Sequence, residues 1–129
     1  MRIISISLML LVALNALVAG YLFISDPSGS KLQIPVTWLQ HSPFKDFLIP
    51  GIVLFTVNGI LNIVAAIFAI FKWKNWPKMI YIQGLLLTSW IIIQIIMLQD
   101  LNFLHYILAG IGILLMFLGW QLNKTKTLN

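Results

Sequence analysis

The sequence contains no cysteine and no glutamate. The first absence excludes disulfides, thiolate metal sites and thiol redox chemistry. The second leaves Asp26, Asp46 and Asp100 as the only acids. Three carboxylates are too few for a di-iron bundle. None lies deep in an apolar run, where proton-coupled transport or voltage sensing would need an ionisable group. The embedded glutamate of a small multidrug transporter is missing, as is the Gly-rich signature of a small four-helix fluoride channel. Charge of either sign is also scarce. Charged residues make up 9% of the 129, against about a quarter in a soluble domain. So few charges cannot cover a water-facing surface, and the bilayer is the natural solvent. The formal charge of +5 does not signal a nucleic-acid partner, because the basic residues sit between apolar runs and form no stripe.

What is present is 60% hydrophobic residues, gathered into runs at 3–24, 50–71, 79–98 and 101–120. About 20 helical residues cover about 30 Å, the thickness of a hydrocarbon core. Barrel strands would alternate over about ten residues, whereas these runs are continuous. A helix also satisfies its own backbone polar groups, as lipid requires. The expectation is an all-α fold: one integral-membrane four-helix bundle filling residues 1–129, with an ordered extracytoplasmic loop at 25–49. A secretory signal peptide competes for the first run, with Arg2 as its charged start and Val18-Ala19-Gly20 as a cleavage site. The run is longer than a signal peptide's h-region of about 7–15 residues, which favours a span.

The loop and its exit hold Pro27, Pro35, Pro43 and Pro50, with Asp26, Asp46 and His41. Asp26-Pro27 and Ser42-Pro43 each read as a helix start, with a capping oxygen followed by proline at the first helical position. Gly29 between serines reads as a turn. Trp38, Phe44 and Phe47 among polar residues suit a segment lying at headgroup level. The tail 121–129, with Lys124 and Lys126, reads as polar and frayed.

Four spans place the N-terminus, the 72–78 connector and the tail on one side. That side carries Arg2, Lys72, Lys74, Lys78, Lys124 and Lys126 and no acid; the other carries Lys31, Lys45 and all three aspartates. The positive-inside rule then puts both termini in the cytoplasm and the loop outside, in a multi-pass protein of the cell membrane. Tryptophans agree: Trp73, Trp76 and Trp120 fall at the inner interface and Trp38 at the outer one.

Neutral polar residues remain inside the spans. At about 1.5 Å per residue, Gln94 and His105 fall about 6 Å below the outer edge, Asn58 about 12 Å and Asn15 about 14 Å. With Asp46 above and Trp90 beside Gln94, these six form the expected binding pocket: Asn15, Asp46, Asn58, Trp90, Gln94 and His105. The alternative is that the amides are glue between helices, at about 0.6–2 kcal/mol each. Asn58 and Asn62 share a face, as do Gln83, Trp90 and Gln94. Ala16 and Gly20 form a small-xxx-small pair, and His105, Ala109, Gly112, Met116 and Gly119 form a mostly small stripe; both patterns allow close helix approach. Trp90 lies mid-span, where its indole N–H needs a partner; Gln94 competes with simple packing for that role. Asp26 and Asp46 read as helix caps, Asp46 alternatively as a partner of Lys45 or a headgroup.

No cofactor or metal is expected. A b-type haem needs two facing histidines within the bundle, and His41 is in the loop. Asp26, His41, Asp46 and His105 lack any metal-ligand spacing. No paired acid and base or nucleophile–histidine pair stands out, and Ser42 beside His41 is a sequence neighbour only, so the chain does not read as an enzyme. With Asp26-Pro27-Ser28-Gly29, Ser42-Pro43-Phe44 with Asp46, Leu48-Ile49-Pro50-Gly51, and more loosely Trp90 with Gln94, the chain resembles an uncharacterised family of small bacterial four-span proteins. That resemblance implies topology and a bacterial inner membrane, and carries no activity. The functional expectation is a non-enzymatic accessory subunit, or a lipid- or small-molecule-binding module using its outer loop. The alternative is a homo-oligomeric transporter or channel component. Its partners would be the bilayer, with another membrane protein or a second copy of itself.

Overall fold

The computed structural model of the chain describes residues 1–28, 45–98 and 103–128, with side chains to 96 and from 105 to 124. The described residues are helical and contain no strand. Helix α1 is Arg2–Ser25. The second span is built in three pieces: α2, Leu48–Val53; a π-helical segment, Leu54–Ile60; and α3, Leu61–Phe71. Helices α4, Trp76–Leu98, and α5, Phe103–Leu128, complete the chain. All four spans are long and apolar enough to cross a membrane.

Several boundaries differ from expectation. The second and third runs begin earlier, at Leu48 and Trp76. Pro50 is tolerated because it falls in the first turn, where backbone N–H groups have no helical partner. The tail is not frayed across 121–128; α5 continues through Leu128. Gln121, Asn123 and Lys124 are all compatible with a helix interior, and Lys124 Nζ lies 5.3 Å from the Trp120 ring centroid one turn back. Gly29, Lys31, Trp38, His41, Ser42, Pro43 and Phe44 lie outside the described residues, as does the Gln99-Asp100 connection.

Both described ends of the loop between α1 and α2 are pinned. The Phe47 N–H donates to the Pro27 carbonyl at 2.9 Å, and the Phe23 and Phe47 rings stack at 4.7 Å. The Asp46 carboxylate accepts the Leu48 N–H at 3.0 Å from the residue before the α2 N-cap, Phe47. Asp26 accepts the Ser28 N–H at 3.3 Å and its hydroxyl at 2.6 Å, the bonding of a cap; any helix that it starts lies beyond the described residues.

At the opposite end the chain closes α3 with three devices. Lys72 adopts a left-handed conformation, φ 52°. The Lys72 and Trp73 N–H groups both donate to the Phe68 carbonyl, and the Trp73 ring meets Phe68 edge-on at 5.1 Å. Together these form a Schellman-like stop with its usual apolar contact. The next two carbonyls, Ala69 and Ile70, accept from the Arg2 guanidinium at 3.1 and 3.2 Å. A cation here also complements the negative end of the helix dipole.

The bundle consists of two hairpins. Helix α1 packs along the second span and α4 along α5, while contacts between the hairpins are thinner. Backbones approach most closely at small residues. A Cβ on Gly20 would lie 2.8 Å from the Phe55 Cβ, and one on Gly119 would lie 2.5 Å from the Tyr81 nitrogen. The main apolar core draws on all four spans: Met9 from α1, Ala65, Ala66 and Ala69 from α3, Trp76 and Ile80 from α4, and Leu115 from α5. A second cluster joins Val12 of α1 to Leu87 and Ile91 of α4.

Candidate functional site

The six expected pocket residues are distributed unevenly. Asn58 is fully buried and His105 is 6% exposed. Trp90 and Gln94 are half-buried, and Asn15 and Asp46 are exposed. Asp46 is engaged by the Leu48 N–H at the start of α2. Trp90 packs on the Val12–Leu87–Ile91 cluster, the packing alternative to a bond with Gln94. Asn15 points away from the bundle for a simple geometric reason. Residues Val12, Ala13, Ala16 and Gly20 form the buried face of α1, and Asn15 lies about 100° around the helix from its neighbour Ala16.

The polar groups that are buried sit deeper. Asn58 and Asn62 are both fully buried, as their shared face predicts, and Gln83 is 4% exposed. They surround an irregular backbone. In the π segment the Leu61 N–H bonds to the Thr56 carbonyl, five residues back instead of four. One turn on, the Asn62 amide donates to the Asn58 backbone carbonyl at 2.7 Å. Among the described residues the Asn58 carboxamide has no partner at either Oδ1 or Nδ2, and the Asn62 Oδ1 and Gln83 Oε1 are likewise unpaired. Such groups are uncommon, because an unpaired buried amide costs about 1–3 kcal/mol.

A second feature was not anticipated from sequence. At the lysine-rich end, a cavity of about 320 Å³ opens between the start of α4 and the last turns of α5. Its walls are Lys78, Tyr81 and Ile82 from α4, and Gly119, Trp120 and Asn123 from α5. Gly119 makes the cavity possible by letting α5 reach the Pro77–Tyr81 backbone. Lys124 is not part of the wall but lies over the ring of Trp120, which is. The floor is apolar and the rim is cationic and amphipathic. Lys78 and Trp120 are recognisable from sequence as interfacial residues; that they share a cavity depends on the antiparallel register of α4 and α5.

Among the described residues no group of three His, Cys, Asp or Glu side chains comes together to hold a metal ion. Comparison with known protein families returns no match, nor does comparison with curated proteins or with solved structures.

Proposed function

We propose that the chain is a multi-pass protein of the cell membrane, with both termini in the cytoplasm, that works by binding and not by catalysis. The ligand class best supported is an anionic phospholipid, held at the cavity between α4 and α5. The observation that carries this reading is the pairing of Lys78 with Tyr81, Trp120 and Asn123 around an apolar floor. Asp26 and Asp46, the acidic residues among those described, belong to the other end of the bundle. Lysine supplies the charge for a phosphate, asparagine and tyrosine supply hydrogen bonds to a glycerol backbone, and the aromatic rings suit the headgroup layer. The exposed apolar residues Ile82, Leu85, Ile113 and Phe117 continue from the cavity along both helices, offering a track for acyl chains.

The test is native mass spectrometry of detergent-purified protein titrated with phosphatidylglycerol or phosphatidylcholine. Phosphatidylglycerol should bind more tightly. The double variant Lys78→Gln/Lys124→Gln should lose about 2 kcal/mol of that preference, at about 1 kcal/mol per lysine near an anionic headgroup. Equal binding of the two lipids by the parent protein would refute the reading.

A further inference from the structure

Helix α1 carries an unpartnered surface. Two exposed hydroxyls on the spans fold back on their own helix: Ser7 donates to the Ile3 carbonyl at 2.9 Å and Thr56 to the Ile52 carbonyl at 2.8 Å. Asn15 is exposed and makes no such bond within the chain. It lies about 20 Å along the helix from Arg2 and about 15 Å from Ser25, within a few ångströms of the middle of α1. A carboxamide there faces hydrocarbon, which offers neither a donor nor an acceptor.

The surroundings of Asn15 are patterned. Ile4, Leu8, Leu11, Asn15, Val18 and Leu22 follow one another at intervals of four, three, four, three and four residues. That is a heptad seam, with Asn15 at an a position. Four of the six are exposed, including Ile4 at 54%, Leu11 at 58% and Val18 at 53%, and the other two are half-buried. The buried contacts of α1 with its own chain centre on a different face, Met9, Val12, Ala13, Ala16, Gly20 and Phe23; of the seam residues, half-buried Leu8 also packs at the edge of the main core.

We propose that a second copy of this chain covers the seam, with the two α1 helices parallel and Asn15 paired with the partner's Asn15 across a two-fold axis normal to the membrane. The chemistry selects this occupant. A carboxamide holds one donor and one acceptor group and is complementary to itself. Two copies inserted alike present their α1 helices in parallel and Asn15 at equal depth. Apolar packing alone gives little drive in lipid, where tails are as apolar as leucine, so the interhelical hydrogen bond supplies both affinity and register. This inference rests on the membrane placement proposed above but not on the lipid cavity, which lies on α4 and α5.

The absence of cysteine makes the test clean. Leu11→Cys or Val18→Cys, oxidised in native membranes, should give a covalent dimer, whereas Leu10→Cys, exposed but off the seam, should not. Adding Asn15→Leu should weaken association about 5- to 30-fold, read by dilution of the protein into increasing lipid. Asn15→Gln, which keeps the amide, should retain association and guards against simple misfolding. Carbonate-resistant retention in the membrane is measured on the same samples. A retained protein that stays monomeric, crosslinks equally at Leu10→Cys and Leu11→Cys, or is indifferent to Asn15→Leu overturns the seam alone. Loss from the washed membrane overturns the membrane placement and the seam with it.

Discussion

Asn58 gives the most demanding test of the bundle's interior. Its side chain is fully buried, and neither polar atom of its carboxamide has a partner among the described residues. Replacing an unpaired buried amide by an apolar group removes a penalty of about 1–3 kcal/mol. Asn58→Leu keeps the branching of the side chain and is therefore expected to stabilise the protein by about 1 kcal/mol, the low end of that range. Crowding against Gly59 and its contact with Leu17 offsets part of the gain. Asn58→Ala cannot overpack and should fall within about 1 kcal/mol of the parent, since the void it leaves offsets the relief. Asn62→Leu is the contrast. It forfeits the 2.7 Å bond to the Asn58 carbonyl, worth about 1 kcal/mol, and relieves one unpaired oxygen instead of two orphan atoms. Reversible unfolding in mixed micelles, titrated with sodium dodecyl sulfate and followed by tryptophan fluorescence, ranks the three variants. If both Asn58 variants destabilise by more than about 2 kcal/mol, the amide has a partner from outside the chain, and the reasoning from its isolation fails.

Two further predictions concern the closure of α3. Lys72→Gly should stabilise by about 0.5–1 kcal/mol, because relief of a left-handed non-glycine conformation, about 1–2 kcal/mol, exceeds the entropy cost of glycine; an unchanged midpoint in the same titration would show that the strain is absent. Arg2→Ala should destabilise by about 1–2 kcal/mol, as partly exposed charge-assisted bonds to the Ala69 and Ile70 carbonyls are lost. Arg2→Lys should retain only part of this, since one ammonium replaces a planar fork; equal stability of the alanine and lysine variants would rule out the capping role.

The four spans were legible because twenty continuous apolar residues have few other solutions. The close approaches at glycine were legible too: Gly20 does meet the second span, and Gly112 and Gly119 do meet α4. Harder to read was which way a polar residue points on a helix that is apolar all round. Depth alone places Asn15 in the interior, yet it lies about 100° around the helix from Ala16, outside the arc that Val12, Ala13, Ala16 and Gly20 bury. The π segment leaves almost no trace, since Leu54–Ile60 holds no proline and its one oddity is Asn58-Gly59. The α4–α5 cavity was illegible for another reason. Lys78 and Trp120 are far apart in sequence, and only the register set where Gly119 meets Tyr81 brings them together.

The glycine contacts and the apolar cores belong to different stages of assembly. Gly20, Gly51 and Gly59 serve contacts between α1 and the second span, and Gly84, Gly112 and Gly119 serve contacts between α4 and α5. Each hairpin can therefore close as soon as its own two spans have left the ribosome. Neither apolar cluster is complete at that point: Met9 and Ala65 wait for Ile80 and Leu115, and Val12 waits for Leu87. Chain growth thus separates shape from burial in time, with backbone fit deciding the hairpins first and side-chain packing then joining two preformed halves.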